Sequence, residues 1–150
     1  MSSHIVTSDS EFPSEGPRAA VCRIIRPSDS KLLCVWNKRY GRWGWPGGKV
    51  EAGETPRQAA ARECFEEAGV SPDHMTPLYG GLHGESIEST RGSHVCVFDA
   101  TFSLRELEDA REIEAGCPVT FFTSEEFLRW CIAPDFYHDM YRALAEAGRR

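Results

Sequence analysis

The stretch that most constrains this chain is residues 39–69, where a glycine-dense loop runs straight into a helix with both ends marked. The loop, RYGRWGWPGGKVEAGE, holds five glycines and one proline. That composition disfavours a regular element and suits backbone that must approach a ligand closely. From Thr55 to Gly69 the helix signals are complete: Thr55 as N-cap, Pro56 at the first helical position, Gln58 to close a capping box and Gly69 as terminator.

The helix carries an unusual face. At about 100° per residue, Glu63, Glu66 and Glu67 span only about 100° of its circumference and share it with the small Ala59 and Ala60. Clustered glutamates are ordinarily a solvated face. Here the face holds no lysine, and two bare carboxylates about 4 Å apart repel by on the order of 4 kcal/mol at an effective dielectric of 20. Such a group calls for a cation, and an all-oxygen donor set favours Mg2+ or Mn2+ over zinc. The glycine loop is not a Walker loop, because Trp43 and Val50 stand where that motif needs Gly and Ser or Thr, and a dinucleotide fingerprint is also absent.

Taken together, Gly48, KVEAG, Glu54, TPRQAAA and Arg62-Glu63-Cys64-Phe65-Glu66-Glu67-Ala68-Gly69-Val70 resemble the Nudix box, G-x5-E-x7-R-E-U-x-E-E-x-G-U, with U bulky and apolar. Every fixed position matches, and Cys64 is the one soft position, smaller than the usual Leu, Val or Ile. The preceding WGWPGGKVE also resembles the MutT-like members. The resemblance implies an α/β (α+β) Nudix-type αβα sandwich with a mixed central sheet. It also implies hydrolysis of a nucleoside diphosphate linked to another moiety, with Mg2+ or Mn2+ as cofactor. By position, Glu63, Glu66 and Glu67 resemble the metal-binding carboxylates and the carbonyl of Gly47 an added ligand. Arg62 would orient Glu63 through a bidentate salt bridge, and Glu54 resembles a supporting acid, although an acid at a helix entry also suits the dipole. Glu112 or Glu114, in the charged loop before CPVTFF, are candidates for the general base alongside the box glutamates.

Substrate contacts are expected from Gly47, Gly48, Lys49 and Arg39, since cations beside the glycines can neutralise phosphate oxygens. Asp135 sits where some MutT-like proteins place a base-contacting residue, with helix capping as the ordinary reading. Trp36, Trp43, Trp45, Phe136 and Tyr137 are candidate stacking groups, for which a buried core is the default. At Glu85, Ser86 and Ile87 neither the proline of ADP-ribose hydrolases nor the tyrosine of dinucleoside polyphosphate hydrolases appears. The leading expectation is therefore a (deoxy)nucleoside triphosphate cleaved to nucleoside monophosphate and pyrophosphate. The alternatives are an ADP-ribose, nucleoside diphosphate sugar or dinucleotide pyrophosphatase, and a nucleotide sensor without catalysis.

The rest of the chain frames this site. AAVCRIIR and KLLCVWN, around Pro27 to Ser30, read as a hairpin; TPLYGGLH, HVCVFDATF and CPVTFF read as further strands. Ser124 is expected to cap a short helix, and Phe136, Met140, Ala143, Leu144 and Ala147 mark a closing one. Residues 1–17, rich in Ser, Glu and Pro, are expected as a flexible leader, with one domain over 18–150. A formal charge of −6 argues against strong nucleic-acid binding, and no run reaches the length of a membrane helix. Six cysteines without a C-x-x-C pair point to reduced core thiols and a cytoplasmic location. A small-molecule nucleotide is the expected partner, and a homodimer stays open.

Overall fold

The computed structural model describes residues 3–83, 92–102 and 104–150; the polar connection expected around Glu85, Ser86 and Ile87 lies outside them. Along the chain run β1 (His4–Ile5), a 3-10 turn (Asp9–Glu11), β2 (Arg18–Ile24), β3 (Leu32–Asn37), β4 (Arg42–Gly44), β5 (Gly47–Lys49) and α1 (Pro56–Ala68). Then follow β6 (His74–Leu82), β7 (His94–Thr101), α2 (Leu104–Leu107), β8 (Val119–Phe122), α3 (Ser124–Trp130) and α4 (Pro134–Glu146). One mixed sheet has the order β1-β6-β7-β2-β5, with β2 and β7 parallel and the other pairs antiparallel; a second, antiparallel sheet has the order β4-β3-β8.

Alternation along β2 sets the layers. Ala20, Cys22 and Ile24 face α1, where they meet Ala59, Ala60, Cys64 and Ala68. Val21 faces the other way, into a core shared with Phe127 of α3 and Phe136, Tyr137, Met140 and Leu144 of α4. Helices on both faces of a mixed sheet give the αβα sandwich expected above. On the α4 side the buried Arg23 donates two hydrogen bonds to Asp99, at 2.6 and 2.9 Å, and a third to the carbonyl of Arg150 at 2.9 Å. A buried guanidinium is tolerable only with such partners.

Three expectations change. The AAVCRIIR and KLLCVWN runs are not a paired hairpin. They meet through one bridge, Ile25 to Leu32, and the Arg26 N–H bond to the Lys31 carbonyl at 2.7 Å, and then enter different sheets, β2 pairing with β7 along its length and with β5 over Ala19 to Val21. The glycine loop is not wholly irregular: it holds β4 and β5, the latter closing on β2 where no side chain at Gly47 obstructs Val21. The cap of α3 is Thr123 rather than Ser124, since Thr123 alone has a glutamate three residues on. Its hydroxyl accepts from Glu126 N–H at 3.1 Å, and Glu126 accepts from Thr123 N–H at 2.9 Å.

The expected leader also differs. Ile5 pairs with Tyr79, Val6 N–H donates to the Leu78 carbonyl at 2.9 Å, and Val6 and Phe12 are buried in the α1 core. Arg57 of α1 holds Asp9 through two bonds of 2.7 and 2.8 Å. Average composition concealed two apolar anchors that repay the ordering of a polar segment. The Phe12 ring lies 5.2 Å from that of Phe98. Phe12→Ala is therefore expected to cost about 3 kcal/mol. Urea unfolding of the variant measures this, and a loss under about 0.5 kcal/mol would return the segment to a leader.

All six cysteines are free and buried. No helix is long and apolar enough to cross a membrane, among the described residues.

Candidate metal and phosphate site

The capping box of α1 forms as the sequence requires. Thr55 Oγ1 accepts from Gln58 N–H at 3.1 Å, Gln58 Oε1 accepts from Thr55 N–H at 2.9 Å, and Gly69 adopts the left-handed conformation with φ 74°. The helix start is thereby tied to the end of the glycine loop, and β5 lies alongside the glutamate face.

Within β5 the ladder bond runs from Cys22 N–H to Pro46 O, so Gly47 and Val21 oppose each other as a non-hydrogen-bonded pair. The N–H and carbonyl of Gly47 thus turn outward toward α1, and the N–H donates to Glu67 Oε1 at 2.6 Å. Gly48 has a different constraint. A Cβ built on it would fall 2.6 Å from Glu63 Oε1, so only glycine lets that carboxylate close on the strand.

Arg62 organises the acids. Its Nε and Nη2 donate to the two oxygens of Glu54 at 2.7 and 3.0 Å, Nη1 donates to Glu63 at 2.9 Å and Glu66 at 3.0 Å, and Nη2 also reaches the Lys49 carbonyl at 3.1 Å. The bidentate partner is Glu54, not Glu63 as expected. Glu54 lies in front of the guanidinium fork, whereas Glu63 is the next residue along the helix and reaches only one nitrogen. Glu51, 3.7 Å from Nη2, is a fourth acid around the same cation that motif reading passed over.

The three face glutamates differ in environment. Glu66 is 54% exposed and Glu63 only 17%. Burial raises the Glu63 carboxyl above the usual range against the opposing pull of Arg62. Glu67 is pushed up to about 8, chiefly by burial, with the Gly47 N–H opposing and the charges of Glu63, Glu114 and Glu66 adding. Glu54 is lowered by its bonds to Arg62. No three His, Cys, Asp or Glu side chains among the described residues form a ready cation cage. Arg62 draws Glu63 and Glu66 to itself while Glu67 is held by Gly47. The donor chemistry nonetheless fits a hard divalent ion: two desolvated carboxylates, one exposed one and an outward backbone carbonyl, all oxygen.

A cavity of about 370 Å³ opens beside this cluster. Gly47, Gly48 and Glu67 line it, together with Trp45, Phe136 and Tyr137 on its apolar side and Arg39, Lys38 and Glu114. Glu114 pairs with Lys38 at 3.5 Å. Of the two loop acids, Glu114 reaches the cavity; Glu112 instead accepts from the Gly116 N–H at 3.1 Å. Lys49 is exposed, is absent from the lining and joins the cluster through its carbonyl alone. Asp135 is exposed in the first turn of α4 and does not line the cavity. Lys38 and Cys117, which no motif singles out, do line it. They arrive from a turn and a loop whose approach no local pattern encodes.

A family model described as NUDIX domain matches residues 16–144. An RNA pyrophosphohydrolase of Psychromonas ingrahamii is 39% identical over 72 residues, 47% of this chain and 39% of that one. An RNA pyrophosphohydrolase of Aeromonas hydrophila is 44% identical over 64 residues, 41% of this chain and 35% of that one. The chain thus spans about two-fifths of the length of these curated relatives. Among solved structures, a MutT NUDIX hydrolase from Burkholderia pseudomallei superposes with a TM-score of 0.60 at 26% identity, covering 72% of this chain and 83% of that one. The NUDIX domain of Shewanella oneidensis NrtR complexed with ADP ribose gives a TM-score of 0.62 at 20% identity, covering 92% of each chain.

Proposed function

Because this chain belongs to the Nudix family, we propose that it is a divalent-metal-dependent pyrophosphohydrolase acting on a nucleoside 5′-polyphosphate, releasing pyrophosphate and leaving a 5′-monophosphate. The observation that carries this is Glu67: a desolvated carboxylate, hydrogen-bonded to the glycine strand, at the wall of a cavity with an aromatic side and cationic side chains.

Glu63, Glu66, Glu67 and the Gly47 carbonyl are the groups that would hold Mg2+ or Mn2+. When bound, such an ion supplies charge neutralisation on phosphate oxygens and a lowered pKa for attacking water. The chain's own contribution is positional. Arg62 fixes Glu63 and Glu66 from one guanidinium, so neither must be ordered when substrate arrives. Arg39 and Lys38 supply positive charge along the cavity for the phosphate chain, with Lys49 outside it. Glu114 is preferred to Glu112 as the group that takes the proton of water, since it lies in the same cavity as Glu67. Trp45, Phe136 and Tyr137 provide an apolar wall for the base. Six buried thiols suit a reducing compartment such as the cytoplasm.

The test resolves products from nucleoside triphosphates, ADP-ribose and dinucleoside polyphosphates incubated with Mg2+, with and without excess chelator, in heavy-oxygen water. Pyrophosphate plus labelled monophosphate or pyrophosphate, abolished by chelation, is the expected result. Cleavage of ADP-ribose alone would move the substrate class. Turnover that survives chelation in metal-stripped protein, or tight binding of nucleotide and metal without any product, overturns the proposal.

A further inference from the structure

Arg62 has no donor to spare. A guanidinium carries five N–H groups. Arg62 commits them to five hydrogen bonds: two to Glu54, one each to Glu63 and Glu66 through Nη1, and one to the Lys49 carbonyl. Glu51, in the spacer between Gly48 and Glu54, stands outside this set. Its carboxylate lies 3.7 Å from Nη2, beyond hydrogen-bond distance, and its side chain is 68% exposed. Its backbone, by contrast, is fixed. Glu51 N–H donates to Glu54 Oε1 at 2.9 Å, and its carbonyl accepts from Glu54 N–H at 3.0 Å. The turn that holds Glu54 against Arg62 therefore holds Glu51 beside it, and only the Glu51 side chain is left to move.

The two carboxylates on Nη1 are also two of those that the proposed function gives to a divalent ion. An ion drawing on Glu63 and Glu66 competes with Nη1 for their oxygens. The Arg62 side chain is only 24% exposed, so water poorly replaces what Nη1 loses, and an unpaired N–H there is costly. Glu54 cannot supply the missing acceptor, since both of its oxygens already accept from Nε and Nη2. Among the described residues, Glu51 is the remaining acid within ion-pair distance of Arg62. Closing the gap takes a change of side-chain rotamer, not a movement of the turn. The charge of Glu51 already reaches the neighbouring carboxylate: burial first, then the charges of Glu66 and Glu51, push the Glu63 carboxyl up against the pull of Arg62.

We infer that Glu51 is a positioning residue of the metal site: it accepts the Arg62 hydrogen bonds that Glu63 and Glu66 give up to an ion, and so lets those carboxylates turn without stranding the guanidinium. It acts through Arg62 and touches neither ion nor substrate. The inference rests on the proposed function for the ion itself. An exposed ion pair ordinarily changes an equilibrium by a few-fold at most. The pair of Glu51 with Arg62 is stronger when the ion is bound than when it is absent, and that difference is the quantity to measure.

The test measures Mn2+ affinity by paramagnetic resonance, which counts free ion and needs no turnover. It compares the wild type, Glu51→Gln, Glu51→Asp, Arg62→Gln and the double variant Glu51→Gln with Arg62→Gln, with circular dichroism checking each fold. Glu51→Gln is expected to weaken binding about three- to five-fold when Arg62 is present and to change nothing once Arg62 is glutamine. Glu51→Asp keeps the charge and should recover part of the loss. Exchange of the Arg62 guanidinium protons gives a second readout, which decides if Arg62→Gln binds no Mn2+: added Mg2+ should speed it in Glu51→Gln and leave it slow in the wild type. A loss of equal size with and without Arg62 would mean a through-space charge effect on the ion and overturns the positioning role, as does no loss in either background. A wild type that binds no Mn2+ overturns the metal site of the proposed function as well. A loss that requires Arg62, in a protein that hydrolyses no nucleotide, keeps the role of Glu51 and removes the proposed function.

Discussion

Replacing Glu67 by glutamine is expected to cut turnover about a thousand-fold while making the metal-free protein more stable at neutral pH. The activity loss follows from the proposed role of Glu67 as a charged ligand of a divalent ion, whose transition-state stabilisation would be worth several kcal/mol. The stability gain follows from burial. Glu67 is pushed from 4.5 up to about 8 in the folded chain, so between those values the native state binds more protons than the unfolded one. Stability of the metal-free wild type therefore falls as pH rises from about 4.5 to about 8, then levels. Glutamine keeps an oxygen for the Gly47 N–H and carries no charge, so its advantage opens across that window and reaches on the order of 2 kcal/mol above it. Added Mg2+ should reverse the ranking, because it stabilises the wild type alone. Urea melts at pH 5 and pH 8, with and without Mg2+, check the sign. A variant that is less stable than wild type at pH 8 in chelator would mean that Glu67 is not a frustrated carboxylate.

Arg62→Lys keeps the charge and is expected to lower kcat by about ten- to a hundred-fold, with a smaller change in KM. One guanidinium serves Glu54 with two bonds and Glu63, Glu66 and the Lys49 carbonyl with one each. An ammonium has three donors on one atom and cannot span that spread. The bidentate link to Glu54 has a further consequence. Glu54→Gln should reproduce part of the defect by loosening the guanidinium, although it touches neither Glu63 nor Glu66. A steady-state comparison of the two variants tests this: an Arg62→Lys rate constant within two-fold of wild type would make Arg62 a surface helix residue.

Much of the site was legible locally. Thr55, Pro56, Gln58 and Gly69 define α1 by chemistry confined to a few neighbouring residues, and helical geometry then puts Glu63, Glu66 and Glu67 on one face whatever the rest of the chain does. Apolar runs bounded by turn residues likewise marked the long strands, since a strand such as β2 that is buried on both faces carries apolar side chains at successive positions. The failures share a cause. Strand pairing, the anchoring of residues 3–17 and the fork of Arg62 each depend on which partner competes best for a group. The run after Pro27 looked like the partner of β2, but β7 takes one edge of β2 along its length and β5 the other over Ala19 to Val21.

Residue spacing by itself determined the helix, its caps and the acid face, because those follow from dihedral periodicity and hydrogen bonds that close within a few residues. Only the tertiary structure decided that these acids are unequal. Packing against β5 removes water from Glu63 and Glu67 but leaves Glu66 outside, and Gly48 leaves the space that Glu63 occupies. It also brought Glu114 rather than Glu112, and Lys38 and Arg39 rather than Lys49, to the cavity. Desolvation depends on which chain segments come to lie over a group, and those segments stand far from it in sequence.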